Sequence, residues 1–262
     1  MIRVLYIGDV VGQPGRRALH EKLERVIDRE NIDFSIVNIE NAAGGFGVTE
    51  PIMEELSELP INAFTSGNHI WDKKDFVDNY EHYPHVIRPA NYPPGNPGNG
   101  KVIRQTAGGV NVAVLQLMGN VFMPPIDNPF YCADKELADI SKQAKVIIVD
   151  IHGEATSEKQ AMGRYLDGRV SAVLGTHTHV PTADERILPN GTAYQTDVGM
   201  TGAYDSVIGF RPDEALHRFL MNTPRKLEVA KRDIRLSGAM IEIDETTGRA
   251  SRIVRIREDV AD

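Results

Sequence analysis

The sequence contains very little cysteine, and this scarcity limits the kinds of site that it can build. Cys132 is the only cysteine among the 262 residues. A single thiol excludes an intramolecular disulfide and also excludes a metal site made of clustered thiolates. Any bound metal ion must therefore be held by nitrogen and oxygen ligands.

Long apolar runs are also absent. No run approaches the roughly 20 residues that a membrane-spanning helix requires. The N-terminus enters an apolar, strand-like segment directly, without the basic region and longer apolar region of a signal peptide. We therefore expect a cytoplasmic protein without a membrane partner.

Positive charge is outnumbered, since the chain has 29 Lys and Arg against 37 Asp and Glu and a formal net charge of −8 at pH 7. Nonspecific binding to duplex nucleic acid relies on lysine and arginine to displace counterions from the phosphates. The negative balance disfavours a nucleic-acid partner, although RNA binding stays open. A pocket that holds metal ions would still present local positive charge to an anionic ligand.

The overall composition is that of an ordinary soluble globular protein, with 41% hydrophobic and 25% charged residues. No linker divides the chain, so we predict a single domain over residues 1–262. Enzymes of this size commonly assemble with symmetry, and we expect a homo-oligomer.

Strand-like apolar runs alternate with helix-like segments up to about residue 180. This alternation is typical of an α/β fold. The remainder predicts antiparallel pairing, with a strand over 192–196 and a hairpin of residues 238–244 and 249–257. Residues 84–100, rich in Pro, Asn and Gly, predict a long irregular loop. We therefore predict two sheets packed together, with helices outside.

Polar residues follow several of these strand-like runs, at the point where each run ends. Side chains at the carboxyl ends of the strands of an α/β sheet meet at one edge. The alternate spacing of His177 and His179 predicts that both point to one side of an extended segment. The candidate functional residues are Asp9, Glu40, Asn41, Asn68, His69, His152, His177 and His179.

Carboxylate, imidazole and amide groups without thiolates suit manganese, iron or zinc. The candidates other than His69 exceed what one open catalytic ion needs, and they fit two ions that share a carboxylate, for which we favour Glu40. Two divalent ions would outweigh the charges of Asp9 and Glu40, and the positive surplus suits a phosphate ester. We expect a water acidified between the ions to attack phosphorus and His69 to protonate the leaving oxygen.

The candidate residues fall into five short clusters along the chain, which resemble, in order, the motif blocks of calcineurin-like metallophosphoesterases. The clusters are Asp9, Glu40-Asn41, Gly67-Asn68-His69, His152 and Gly175-Thr176-His177-Thr178-His179. Val11 stands where the broader superfamily carries His in its first block, which agrees with the bacterial YmdB-like branch. The resemblance spans most of the chain and implies a four-layer α/β/β/α sandwich of two mixed sheets flanked by helices. The strings similar to that branch are Gly8-Asp9-Val10-Val11-Gly12, Asn38-Ile39-Glu40-Asn41-Ala42 and Thr65-Ser66-Gly67-Asn68-His69.

The resemblance also implies a binuclear centre and phosphodiesterase activity on small phosphodiesters, including 2′,3′-cyclic nucleotides. The ions would be divalent or of mixed valence, with iron or manganese favoured and zinc as the alternative. By position, one ion would bind Asp9, Glu40, Asn41 and His179, and the other Glu40, Asn68, His152 and His177.

Other functions stay open on the same residues. A phosphomonoesterase would differ in whether the pocket admits a second ester group, and a nucleotide-sensing regulatory protein would keep the site with little turnover. The Gly67-Asn68-His69 block disfavours metal-dependent amide hydrolysis. Phe46, in a glycine-rich loop, either stacks on a nucleobase or belongs to a flexible connection.

Overall fold

The computed structural model describes residues 1–261 and shows the predicted α/β architecture. The strands are β1 (Ile2–Ile7), β2 (Asp9–Val10), β3 (Phe34–Asn38), β4 (Ala63–Thr65), β5 (Lys101–Gln105), β6 (Asn111–Met118), β7 (Val146–His152), β8 (Ala172–Thr176), β9 (Arg186–Ile187), β10 (Ala193–Gln195), β11 (Met200–Ala203), β12 (Ile234–Ile243) and β13 (Ala250–Asp259). The helices are α1 (Gly12–Glu30), α2 (Glu50–Ser57), α3 (Lys74–Asp78), α4 (Pro129–Ile140), α5 (Thr156–Leu166) and α6 (Pro212–Met221), with short 3₁₀ helices at Asn68–Trp71 and Tyr80–His82. Among these described residues, no helix combines the length and the apolar character that crossing a membrane requires.

The strands form two mixed sheets. The first has seven strands in the order β2-β11-β12-β1-β3-β4, with β13 paired to β12. Within it, β1, β3 and β4 run parallel to one another, whereas β12 is antiparallel to β1. The second has six strands in the order β5-β6-β7-β8-β10-β9, and β6, β7, β8 and β10 are parallel. The carboxyl ends of the parallel strands therefore gather at one edge of each sheet.

Strand β1 shows how the layers form. Because successive side chains of a strand point to opposite faces, Val4 and Tyr6 enter a core shared with β6, β7 and β8 of the second sheet. Leu5 and Ile7 face the other way and pack against the apolar stripe of α1. Full burial of one such aliphatic side chain stabilises the folded state by roughly 1.5–3 kcal/mol.

The outer face of the second sheet is covered in the same manner by α4 and α5. Leu115 and Val149 of that sheet pack with Leu137 of α4 and Met162 of α5. The order of layers is helix, sheet, sheet, helix. The expected four-layer sandwich is therefore confirmed.

Two strands of the C-terminal part differ from the antiparallel prediction. Strand β10 pairs in parallel with β8, and β11 pairs in parallel with β2. Residues 177–192 carry the chain back to the starting end of β8, so the strand that follows runs in the same direction. The prediction is correct for the hairpin of β12 and β13.

The irregular segment over residues 84–100 is present as predicted, since no helix or strand of the described chain falls within it. Arg88, which is buried, organises this loop by donating hydrogen bonds to the backbone oxygens of Pro89 at 2.9 Å and Pro97 at 3.2 Å. The segment is therefore irregular but anchored.

Candidate metal centre

The carboxyl edges of the two sheets bring the predicted ligand residues together. Asp9 follows β1, Glu40 follows β3, and Asn68 follows β4 in a short 3₁₀ helix. From the second sheet, His152 is the last residue of β7 and His177 follows β8. The strand-end rule thus places residues that are distant in sequence at one site.

Two groups of candidate ligand atoms form there, and Glu40 belongs to both. One group contains Glu40, His152 and His177, and the other contains Asp9, Glu40 and His179. Within each group, one ligand atom from every residue lies within 4.8 Å of the others. The predicted role of Glu40 as a shared carboxylate is compatible with this geometry.

Each group also has an asparagine oxygen. The Oδ1 of Asn41 lies 3.2 Å from His179 Nε2, and its amide is oriented because Nδ2 donates to the Gly45 oxygen at 2.9 Å. The Oδ1 of Asn68 lies 3.1 Å from His152 Nε2. All seven predicted ligand residues therefore converge.

The prediction that His177 and His179 lie in one extended segment is wrong. His177 and His179 have φ angles of 94° and 65°, so neither lies in an extended segment. The chain bends after Thr176, and the two rings join different groups: His177 meets Glu40 and His152, whereas His179 meets Asp9 and Glu40.

A buried ion pair holds this bent segment. The Lys159 ammonium lies 2.7 Å from the Asp197 carboxylate, and both side chains are only 1% exposed. Asp197 accepts hydrogen bonds from the backbone nitrogen of Thr178 at 3.1 Å and from its hydroxyl at 2.7 Å. Thr178 separates the two histidines, so the ion pair fixes the backbone that positions both rings.

A chain of hydrogen bonds orients His152. Its Nδ1 lies 2.9 Å from the Thr176 hydroxyl, which donates to the buried Asp150 carboxylate at 2.8 Å. The Tyr6 hydroxyl also donates to Asp150, at 2.5 Å. Because Nδ1 is engaged in this way, Nε2 is directed toward Glu40 and Asn68 as a ligand atom.

Burial and close charge pairing shift the pKa values of the site. Burial disfavours the charge of Glu40, but the nearby histidines, His152 foremost, together outweigh burial and lower the Glu40 pKa to about 2. Burial likewise opposes the charge of His152, yet Glu40 at 3.2 Å raises the His152 pKa to about 9. Burial raises the pKa of Asp9 to about 7, and burial lowers that of His177 to about 3.

Comparison with known proteins identifies the family. Residues 5–256 match the family model described as YmdB-like protein. The chain is 48% identical over 255 residues to the 2′,3′-cyclic-nucleotide 2′-phosphodiesterase of Bacillus subtilis (strain 168), which covers 97% of this chain and 96% of that relative. The chain belongs to the YmdB-like family. The resemblance carried by the sequence motifs is thereby confirmed.

Solved structures similar to this YmdB-like protein have the same fold. A hypothetical protein from Thermus thermophilus superposes with a TM-score of 0.92 and 43% identity, over 98% of this chain and 99% of that one. A novel phosphatase from Mycoplasma pneumoniae superposes with a TM-score of 0.92 and 33% identity, over 98% of this chain and 93% of that one. Both likenesses extend over nearly the whole chain.

The residues of this YmdB-like protein could hold a metal ion at these ligand groups. Asp9 Oδ1 is buried and has no hydrogen-bond partner within residues 1–261, while Oδ2 accepts from the His177 backbone at 3.2 Å. A buried carboxylate oxygen without a donor is costly, and a cation would satisfy it. A Cβ at position 67 would overlap Glu40 Oε2 and His152 Nε2. The close approach of these two side chains to the backbone therefore requires glycine at this position.

His69 belongs to neither ligand group and lies at a more exposed position. Its side chain is 27% exposed, and its Nδ1 lies 2.8 Å from Asp72 Oδ2. Its ring packs edge-on against Phe46 at 5.0 Å, and Phe46 stacks on Phe210 at 5.3 Å. Within residues 1–261 no hydrogen bond involves His69 Nε2.

Several supporting residues of this YmdB-like centre escaped the sequence analysis. Lys159 had a usable signal, because it occupies the apolar face of α5 together with Met162 and Leu166. Glu154, two positions after His152, lies 3.3 Å from His177 Nε2. Its contact with a predicted ligand follows from the fold and has no signature in the sequence.

Proposed function

We propose that this protein is a binuclear phosphodiesterase that opens the ring of 2′,3′-cyclic nucleotides. The observation that carries the proposal is the buried carboxylate of Glu40 shared by two convergent ligand groups. It is supported by the 48% identity to the Bacillus subtilis protein, whose name states that activity. The shared carboxylate suits a pair of ions about a phosphoryl group better than one isolated ion.

We propose iron or manganese ions, with zinc as the alternative, because the ligand groups offer only oxygen and nitrogen. When bound, such ions lower the pKa of a coordinated water and neutralise charge that develops on phosphoryl oxygens. One ion would be held by Asp9, Glu40, Asn41 and His179, and the other by Glu40, Asn68, His152 and His177.

His69 is assigned the role of proton donor. A hydroxide oxygen adds to phosphorus, the cyclic ester bond from phosphorus to a ribose oxygen breaks, and His69 Nε2 gives its proton to that oxygen. Asp72 binds the opposite ring nitrogen at 2.8 Å and Phe46 packs against the ring, so both fix its orientation. The product is a nucleoside monophosphate in which one of the two ribose oxygens that closed the ring, O2′ or O3′, is now a hydroxyl.

The test is turnover of three substrates by the purified protein with added manganese: 2′,3′-cyclic AMP, bis-p-nitrophenyl phosphate and p-nitrophenyl phosphate. We expect hydrolysis of the two diesters, with the cyclic nucleotide preferred. Replacing His69 by Ala should lower turnover by about 10²–10⁴-fold while leaving metal content unchanged. His217→Ala is the matched control, because His217 is half-buried on α6 and, within residues 1–261, its side chain hydrogen-bonds only to Thr223.

Each alternative function has its own result in this assay. Preference for p-nitrophenyl phosphate would indicate a phosphomonoesterase. Tight nucleotide binding without turnover would indicate a regulatory sensor. Loss of metal in proportion to activity in His69→Ala would make His69 a ligand and refute its assignment as proton donor.

A further inference from the structure

Three residues at the metal centre other than glycine have left-handed backbone conformations: His177, His179 and Ile208. Asn and Asp tolerate such conformations and account for three of the positive-φ residues. His177 and His179 carry ligand groups, whereas Phe122 and Ile208 are bulky and apolar. Ile208 is the more unusual, because a side chain branched at Cβ rarely adopts a φ of 47°. The positive-φ residues other than glycine are Asn31, Phe122, His177, His179, Ile208, Asn222 and Asp233.

Ile208 occupies a turn that favours other residue types. Val207 and Phe210 exchange backbone hydrogen bonds of 2.9 and 3.0 Å, so Ile208 and Gly209 are the two central residues. Both have positive φ, as in a type I′ turn. Asn-Gly and Asp-Gly are strongly preferred in such turns, so isoleucine at this position strains the backbone.

The internal contacts of Ile208 do not require its side chain. Its carbonyl oxygen accepts a hydrogen bond from His179 Nδ1 at 2.9 Å, which any residue could do. The side chain itself is 48% exposed and belongs to none of the three hydrophobic cores of the described chain. An exposed isoleucine on a strained backbone is unfavourable for the isolated protein, which indicates that the side chain meets something outside it.

The turn touches the metal centre at two points. The His179 hydrogen bond places Ile208 beside the ligand group of Asp9, Glu40 and His179. At the other end of the turn, Phe210 stacks on Phe46, which packs against His69. The turn that carries this exposed apolar side chain therefore adjoins the proposed site of ester cleavage.

We propose, resting on the proposed function, that Ile208 is a specificity-determining residue whose side chain contacts the nucleoside part of the cyclic nucleotide. The cyclic phosphate would lie at the ligand groups, and apolar contact with the ribose and base would distinguish a nucleotide from a cyclic phosphate without a base. The strained turn holds the side chain at the rim of the site.

The test compares two cyclic phosphodiesters, 2′,3′-cyclic AMP and glycerol 1,2-cyclic phosphate, with hydrolysis followed by ³¹P NMR. Ile208→Asn and Ile208→Gly keep the backbone carbonyl, relieve the strain and remove the apolar side chain. We expect the ratio of kcat/KM for the nucleotide to that for the base-free substrate to fall about tenfold in both. Ile208→Val, which keeps a branched apolar side chain, should stay within about twofold of the wild type.

Stability provides a readout that moves in the opposite direction. Because Asn suits the turn, Ile208→Asn should raise Tm by about 2–4 °C while it lowers selectivity. The control is Leu220→Asn, which removes an apolar side chain that is 78% exposed on α6. It should leave the selectivity ratio unchanged.

An unchanged ratio in both Ile208→Asn and Ile208→Gly would overturn the inference while leaving the proposed function intact. A fall in metal content that accompanies the fall in selectivity would also overturn it, because Ile208 would then act only through His179. If the wild type opens neither cyclic phosphate, the proposed function itself fails, and this inference fails with it.

Discussion

Replacing Asp197 by Asn should destabilise the protein and weaken its metal centre together. Lys159 and Asp197 are each 1% exposed, so the substitution leaves the Lys159 ammonium buried without its counterion. Breaking a buried ion pair by removing one partner costs about 3–5 kcal/mol. In a domain of this size, such a loss lowers Tm by roughly 6–20 °C.

The same substitution affects the bent segment that carries two predicted ligands. Asp197 accepts two hydrogen bonds from Thr178, at 3.1 and 2.7 Å, and Thr178 lies between His177 and His179. Removal of a residue that orients metal ligands typically lowers affinity by about 10–100-fold. We therefore expect Asp197→Asn to weaken Mn²⁺ binding at both ligand groups by about that factor, measured by calorimetric titration.

Stability is measured by urea unfolding and thermal melting of metal-free protein, because bound ions would add their own stabilisation. The double variant Lys159→Met/Asp197→Asn removes the unpaired charge and should recover at least about 1 kcal/mol of the loss. Thr178→Val removes only one hydroxyl contact and should cost about 1 kcal/mol. A cost below about 1 kcal/mol for Asp197→Asn, or a double variant no more stable than the single one, would refute the reasoning.

Two further predictions concern the ligand groups themselves. In Gly67→Ala the added Cβ would overlap Glu40 Oε2 and His152 Nε2, so we expect both ions to be lost, and wild-type metal content by mass spectrometry would refute this. Metal-free protein should lose stability as pH rises from 6.5 to 9. The pKa of His152 is raised to about 9, so its contribution is lost across this range. Below pH 6.5 the loss from Asp9, whose pKa is raised to about 7, is opposed by a gain from His177, whose pKa is lowered to about 3. The His152 contribution is on the order of 3 kcal/mol, and a Tm of metal-free protein that is flat from pH 6.5 to 9 would contradict it.

The ligand residues could be predicted from the sequence because they lie at or just after the ends of strands. His152 ends a strand, and Asp9 and Glu40 lie two positions after one, and parallel strands bring such positions to one edge. The four-layer arrangement followed from the family resemblance and agrees with the β1 side chains, which alternate between two cores. Local sequence patterns were therefore sufficient to predict which residues converge.

The orientation of those residues could not be predicted from the sequence in the same way. The expectation for His177 and His179 assumed an extended backbone, and nothing in two histidines signals φ angles of 94° and 65°. Those angles are maintained by Asp197, which reaches Thr178 only in the folded chain. The parallel pairing of β10 likewise depends on how far the chain travels back before it re-enters the sheet.

Metal content tests the shared role of Glu40 most directly. We expect about two ions per chain in the wild type reconstituted with Mn²⁺, measured by mass spectrometry after removal of excess metal. Since Glu40 belongs to both ligand groups, Glu40→Gln should lose both ions, whereas His177→Ala should retain about one. Retention of both ions by Glu40→Gln, or a single ion in the wild type, would contradict a binuclear centre built on this carboxylate.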